Sequence, residues 1–267
     1  MIIRLKNRTI IKIDGKDRFN FLQGLITNNV NKVKAGALYT AFLSPQGKFL
    51  FDFFMVEKND SIYITPEVLT CDDLFKKLKI YKLRSDVILT LLDDWAVYAD
   101  MTADKMADLP SDTEIVFTDP RNKAMGRLIL TKDTIDSSGL MDNYDKQRID
   151  LGIPDGSRDM PIDKAIILEN GLDELQAIDW EKGCYLGQEL MARTKHRGMV
   201  RKKLMTVKLD GVAPENGEVL FVGDKKIGTM RTSCGAAGLA LLRIEMAEKV
   251  MEDAGEIKSE SGKIIFL

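Results

Sequence analysis

The chain has 267 residues, enough for two or three compact units with cores of their own. Apolar residues make up 45% and charged residues 30%, with a net charge of −2 and an isoelectric point near 5.7. That composition is soluble and globular and gives no global pull toward nucleic acid or an anionic membrane.

No run reaches the ~18 apolar residues of a membrane span. Met1-Ile2-Ile3-Arg4-Leu5 leads straight into strand-like sequence, with no signal or transit pattern. Residues 9–13 read as a strand stopped by Asp14-Gly15, and 19–26 as a short helix before the polar turn Thr27-Asn28-Asn29. Strands at 39–43 and 49–56 are joined by Ser44-Pro45-Gln46-Gly47, and 61–65 is a third. A helix is predicted over 66–81, with Pro66 in its first position. Leu69, Leu74, Leu78 and Tyr81 form its core stripe, and Cys71 is a packing residue within it.

Further strands at 87–92, 95–99, 114–117 and 125–130, with a polar stretch at 100–111, give an α+β pattern rather than a doubly wound one. No Gly-x-Gly-x-x-Gly follows a strand and no phosphate-binding loop is present, so nucleotide-dependent catalysis has no basis. A polar helix at 141–151 leads into Gly152-Ile153-Pro154, and 160–179 is expected to be largely irregular. Such a long connection inside a domain is read as functional. After residue 203 the pattern is pure β, with short strands at 204–209, 219–222, 227–231, 239–242 and 264–267. The expected organisation is an α+β part over 1–198, built from two intertwined subdomains, and a small C-terminal β-barrel over 199–267.

Cys71, Cys184 and Cys234 are far apart and in no metal-ligand spacing, which favours a reducing compartment without disulfides. The single His196 excludes a zinc site needing two histidines. Cys184 lies among glycines beside Lys182 and just before the run 186–195. It reads as sitting at or near a helix N-terminus, where amides, the helix dipole and Lys182 would favour a thiolate. At helical spacing it would share a side with Gln188, Met191 and Lys195. The plainer reading is an inert, buried small apolar residue. Residues 193–203 carry six Lys/Arg, but no aromatics interleave with them. A solvated turn is therefore expected there, and direct nucleic-acid binding is not.

Lys182-Gly183-Cys184-Tyr185-Leu186-Gly187-Gln188-Glu189, with Ala192-Arg193 and Arg197-Gly198 beyond it, resembles the hallmark of the YgfZ family of folate-binding proteins. These are relatives of the glycine-cleavage T-protein, the aminomethyltransferase. Phe21-Leu22-Gln23-Gly24, Pro45-Gln46-Gly47-Lys48, the stretch from Arg148 to Pro154 and Gly238 to Arg243 are also family-like, so the resemblance covers essentially the whole chain. It implies an aminomethyltransferase-like ring of domains around a channel that binds tetrahydrofolate, with the cysteine near that channel. The T-proteins carry paired aspartates where this chain has Phe51-Asp52, and they lack the cysteine, which favours the YgfZ branch.

A folate needs a carboxylate opposite its amino-pyrimidine and cations for its glutamate tail. Asp52, which interrupts an apolar strand, is the candidate carboxylate; the alternative is an edge-strand residue facing water. Arg148 is the candidate tail clamp; the alternative is a surface ion pair. Gln23, Tyr185, Gln188 and Glu189 are the remaining folate-contact candidates, from the family-like motifs. Cys184 and Lys182 are the candidate reactive pair.

The resemblance implies an accessory factor for making or repairing iron–sulfur enzymes, tRNA-modifying ones among them. In that role Cys184 is a redox thiol or a transient ligand of a cluster shared with a scaffold or monothiol glutaredoxin, since one cysteine cannot supply the four thiolates a cluster wants. The expected location is the bacterial cytoplasm or, for a eukaryotic source, an organelle matrix, with no membrane partner. The rival readings are a tetrahydrofolate-dependent one-carbon transferase and, more weakly, an RNA-binding module.

Overall fold

The computed structural model describes the chain apart from residues 103–113, 197, 199, 254, 262 and 267. The polar stretch expected at 100–111 falls mostly outside the described residues, as do Arg197 and Met199 of the basic stretch. Contacts divide the chain into two units, Met1–Met141 with Asp173–Gln188, and Asp142–Leu172 with Glu189–Leu267.

The first unit runs β1 (Ile2–Arg4), β2 (Ile11–Asp14), α1 (Arg18–Gln23), β3 (Leu38–Leu43), β4 (Phe49–Lys58), β5 (Ser61–Pro66), α2 (Val68–Lys82), β6 (Ile88–Leu91), β7 (Ala96–Asp100), β8 (Glu114–Thr118) and β9 (Arg127–Thr131). Its two sheets, ordered β3-β4-β5-β2-β6 and β1-β7-β9-β8, are antiparallel throughout. β4 is apolar along most of its length because both faces are covered. Phe51, Phe53 and Met55 pack in one core with Leu22, Ile26, Leu74 and Leu78. Successive strand residues alternate sides, so Asp52 and Phe54 face the other way. There the Phe54 ring lies 6.3 Å from Phe117 of β8. Each such phenylalanine stabilises the fold by about 1.5–3 kcal/mol.

Two expectations about α2 need correction. Pro66 closes β5 rather than opening the helix, whose N-cap is Glu67. The buried stripe is Cys71, Leu74 and Leu78, spaced three and four apart as one helix face requires. Leu69, counted into that stripe from the sequence, is 84% exposed, and Tyr81 is exposed as well.

The second unit takes up α3 (Met141–Asp150) from its second residue, then α4 (Gly156–Asp159) and a 3-10 turn at Ile167–Asn170. It resumes within α5 (Gln188–His196) and continues through β10 (Lys202–Asp210), β11 (Val219–Val222), β12 (Lys225–Cys234), β13 (Ala237–Arg243), α6 (Ile244–Glu252), β14 (Ile257–Ser259) and β15 (Ile264–Phe266). Its strands close a barrel in the order β10-β13-β12-β11-β14-β15. The fold is thus α+β with a C-terminal barrel, as expected. Helix α6 was not anticipated; it lays Ala247 and Val250 against the barrel core. The expected cut at 198/199 passes inside this unit, because Asp142–Leu172 belongs with the barrel.

Candidate functional site

Lys182 organises the thiol segment. Its side chain is only 7% exposed, and its ammonium donates to three main-chain carbonyls, Gln23 O at 2.7 Å, Ile26 O at 2.6 Å and Asn28 O at 2.8 Å. Each of its three N–H groups therefore has an acceptor, all from the last residue of α1 and the turn that follows it. Burial pushes its pKa down to about 8, against a smaller upward pull from Asp179. The Tyr185 ring lies 5.0 Å from the ammonium. Around this cation the two segments are stitched together by main-chain bonds, Leu186 N to Gly24 O at 3.0 Å and Asp179 N to Thr27 O at 3.1 Å. Side chains add Thr27 Oγ1 to Ala177 O at 2.7 Å and Asn28 Nδ2 to Gln176 O at 2.8 Å.

Cys184 is exposed. It lies ahead of the helix rather than at its N-terminus, since α5 opens only at Gln188. The expected stripe of Cys184, Gln188, Met191 and Lys195 is therefore not one helix face. Gly187 explains the offset. Its φ of +82° lies in the left-handed region that suits glycine, so the helix cannot begin before it. A Cβ there would also stand 2.5 Å from Ser44 O and 3.0 Å from Gly47 Cα. The turn at residues 44–47 thus packs directly under the thiol segment. The Lys182 ammonium, expected to favour the thiolate, is committed to carbonyls instead.

Of the other motif residues, Gln188 donates its main-chain N–H to Tyr185 O at 3.2 Å, and Glu189 is exposed in the first turn of α5. Gln23 is structural, accepting from Val30 N through Oε1 at 2.9 Å. The Tyr185 hydroxyl is buried with no hydrogen-bond partner among the described residues, and burial, then Asp173, pushes it up to about 12.

Asp52 is buried in the same unit, not facing water. Its Oδ2 accepts from Arg8 at 3.0 Å and from the Tyr39 hydroxyl at 2.8 Å, while Oδ1 has no hydrogen-bond partner among the described residues. Arg121, held by Asp119 at 2.7 Å, stacks 4.6 Å from the Phe54 ring and 5.5 Å from Tyr39. Burial, then the Asp52 charge, raises Tyr39 well above its ordinary value. Tyr39 also connects this cluster to the thiol segment, because its carbonyl accepts from Asn28 Nδ2 at 2.9 Å. Sequence reasoning missed Arg8, Tyr39, Asp119 and Arg121. The one available signal was Asp52 itself, since a carboxylate in an apolar strand requires a cation.

Arg148, in the second unit, is fully buried, and four of its five N–H groups are engaged within that unit. Nε meets Asp145 at 2.6 Å, one terminal nitrogen meets Asp159 at 2.8 Å and Ile153 O at 3.2 Å, and the other meets Thr232 Oγ1 at 2.7 Å. The expectation of an open clamp for a folate tail is corrected. The Arg-x-Asp stretch is legible as a motif, but it knits α3 and α4 to the barrel.

The family described as "CAF17, C-terminal beta-barrel domain" matches residues 201–263. The mitochondrial iron–sulfur cluster assembly factor IBA57 of Mus musculus is 33% identical over 91% of this chain and 77% of its own length. The Homo sapiens protein is 32% identical over 90% and 76%. The chain belongs to the IBA57 family of iron–sulfur cluster assembly factors. A Pyricularia oryzae IBA57 homolog is 31% identical over 91% of this chain and 71% of its own. The glycine cleavage system aminomethyltransferase T of Bartonella henselae shares the fold, with a TM-score of 0.72 over 99% of this chain and 83% of that one at 12% identity. As in the sequence reading, the chain joins an aminomethyltransferase-like fold to an assembly-factor family, here an IBA57-type one. Among the described residues of this IBA57-type chain, no group of three or more His, Cys, Asp or Glu could hold a metal ion. Of its three free thiols, Cys71 is buried and pushed up to about 11 by burial, and Cys234 is half-buried and raised by burial.

Proposed function

We propose that this chain is a tetrahydrofolate-binding accessory factor for iron–sulfur cluster assembly or repair, of the YgfZ type, in which Cys184 is the working thiol. The observation that carries this reading is an exposed cysteine on a segment locked from below by the Lys182 carbonyl cage and by the close approach of Gly187 to residues 43–47. A fixed, exposed thiol can serve as one ligand of a cluster whose other ligands come from a partner. The cluster is cargo, handed between a scaffold or monothiol glutaredoxin and client iron–sulfur enzymes. The alternative redox role uses the same exposed sulfur. The relatives' description as mitochondrial favours an organelle matrix over the cytoplasm.

Tetrahydrofolate fits part of the site. Asp52 Oδ1 is a buried acceptor without a hydrogen-bond partner among the described residues, which suits an amino-pyrimidine N–H, and the Tyr185 hydroxyl is likewise unsatisfied. Arg148 does not fit, since it is fully buried and four of its five donors are used within the second unit. The Asp52 geometry also keeps a second reading alive, a one-carbon transferase in which that carboxylate orients the folate.

Anaerobic cluster reconstitution with a candidate scaffold, with and without tetrahydrofolate and followed by visible absorption, tests the proposal. A shared chromophore that requires Cys184 is expected. Steady turnover of a one-carbon donor with no effect of Cys184→Ser would favour the transferase.

A further inference from the structure

The face of α2 turned away from the core combines cations with exposed apolar side chains. Between residues 74 and 88 there are five cations, Lys76, Lys77, Lys79, Lys82 and Arg84, against one carboxylate, Asp86, which Lys16 meets at 3.6 Å, in a chain whose net charge is −2. Lys76 reaches Asp73 at 3.5 Å, and Lys79 lies 4.5 Å over the Phe75 ring. Among the described residues Lys77, Lys79, Lys82 and Arg84 make no ion pair. Set among these charges are large apolar side chains held out of the fold: Ile80 is 67% exposed, Leu83 is 86% exposed and, at the start of edge strand β6, Ile88 is 57% exposed. The helix dipole accounts for cations in a last turn. It does not account for the apolar residues between them. Leu83 adopts a φ of +46°, where glycine is the ordinary choice, so an apolar side chain occupies a position that disfavours one.

We propose that the C-terminal half of α2 and the turn into β6 form a docking surface for an anionic lipid membrane. The cations would lie along the headgroups, with Ile80, Leu83 and Ile88 inserted between them. This departs from the expectation that the chain has no membrane partner, and it concerns docking at a surface, not spanning. Charge excludes a second copy of the same face, since five cations would meet five. Shape separates lipid from an acidic protein: side chains this exposed project outward, which suits a deformable interface, whereas a protein partner would more readily be met by a groove.

Co-sedimentation of the full chain with vesicles of phosphatidylcholine, with and without phosphatidylglycerol, tests the proposal. Binding is expected only with the anionic lipid, and it should fall with added salt. Lys79→Gln with Lys82→Gln should weaken it about 25-fold, at roughly fivefold for each cation removed. Leu83→Gly should weaken it roughly tenfold through lost apolar contact. The same change should leave the unfolding midpoint unchanged or raise it, because glycine suits the backbone there. A purely structural Leu83 would not show that split. Failure to bind anionic vesicles, equal binding to neutral ones, or unaltered binding by both variants overturns the proposal and makes an acidic protein face the better occupant.

Discussion

Lys182 in the first unit and Arg148 in the second are both buried cations, yet their surroundings push their pKa values in opposite directions. Around Arg148 burial lowers the value, but Asp159, Asp155 and Asp145 more than offset it, and the guanidinium is raised. Around Lys182 the acceptors are neutral carbonyls, Asp179 offsets little, and the ammonium is lowered to about 8. A cation neutralised by carboxylates is a strong cross-link, and removing one partner strands the others. A cation held only by oriented dipoles stabilises less but fixes geometry, because each carbonyl must point at one N–H. The second unit thus uses its buried cation to join helices to barrel, and the first uses its own to set the position of a thiol segment.

The largest expected effect follows from the carboxylates. Arg148→Met leaves the fully buried Asp159 without its cation, while Asp145 keeps Arg158 at 2.7 Å, and should cost about 3–5 kcal/mol in urea unfolding. A loss no greater than that of Lys182→Met would break the contrast. Lys182→Met leaves three carbonyls without their donor and should cost about 2–3 kcal/mol. It should also abolish support of iron–sulfur enzymes even where the chain remains folded.

The smallest effect is the pH dependence. Lys182 binds its proton less tightly when folded than when unfolded, so the cost of burying its charge is fully present below pH 8 and is relieved as pH rises toward the unfolded value. The stability of the wild type relative to Lys182→Met should therefore grow by about 1–2 kcal/mol between pH 8 and roughly 9.5. A difference that shrinks over that range would mean that the carbonyls, not burial, dominate the titration.

What could be read in the sequence was contiguous or periodic. The thiol motif is eight adjacent residues, and the strands follow from alternation and from turns such as that at residues 44–47. What could not be read was set at long range. The carbonyls around Lys182 come from 154 to 159 residues away, and Arg8 reaches Asp52 across 44. The register of α2 was ambiguous because apolar residues stand on several of its faces, and only packing shows that Cys71 rather than Leu69 heads the buried stripe. Helix α6 did carry a signal, with Ile244, Ala247 and Val250 at spacings of three. A reading tuned to strands passed over it. The helix expected from residue 186 starts only at Gln188 for a local reason, since the positive φ of Gly187 goes with the turn packed beneath it.

The central claim is that the fold presents Cys184, and no other thiol, for work on iron–sulfur clusters. The direct measurement compares Cys184→Ser with the double variant Cys71→Ala and Cys234→Ala for restoring iron–sulfur enzyme activity in cells lacking the protein, with unfolding midpoints taken alongside. Cys184→Ser should keep the wild-type midpoint, because the side chain is exposed, and fail to restore activity, while the double variant restores it. Restoration by Cys184→Ser to the wild-type level would contradict the account.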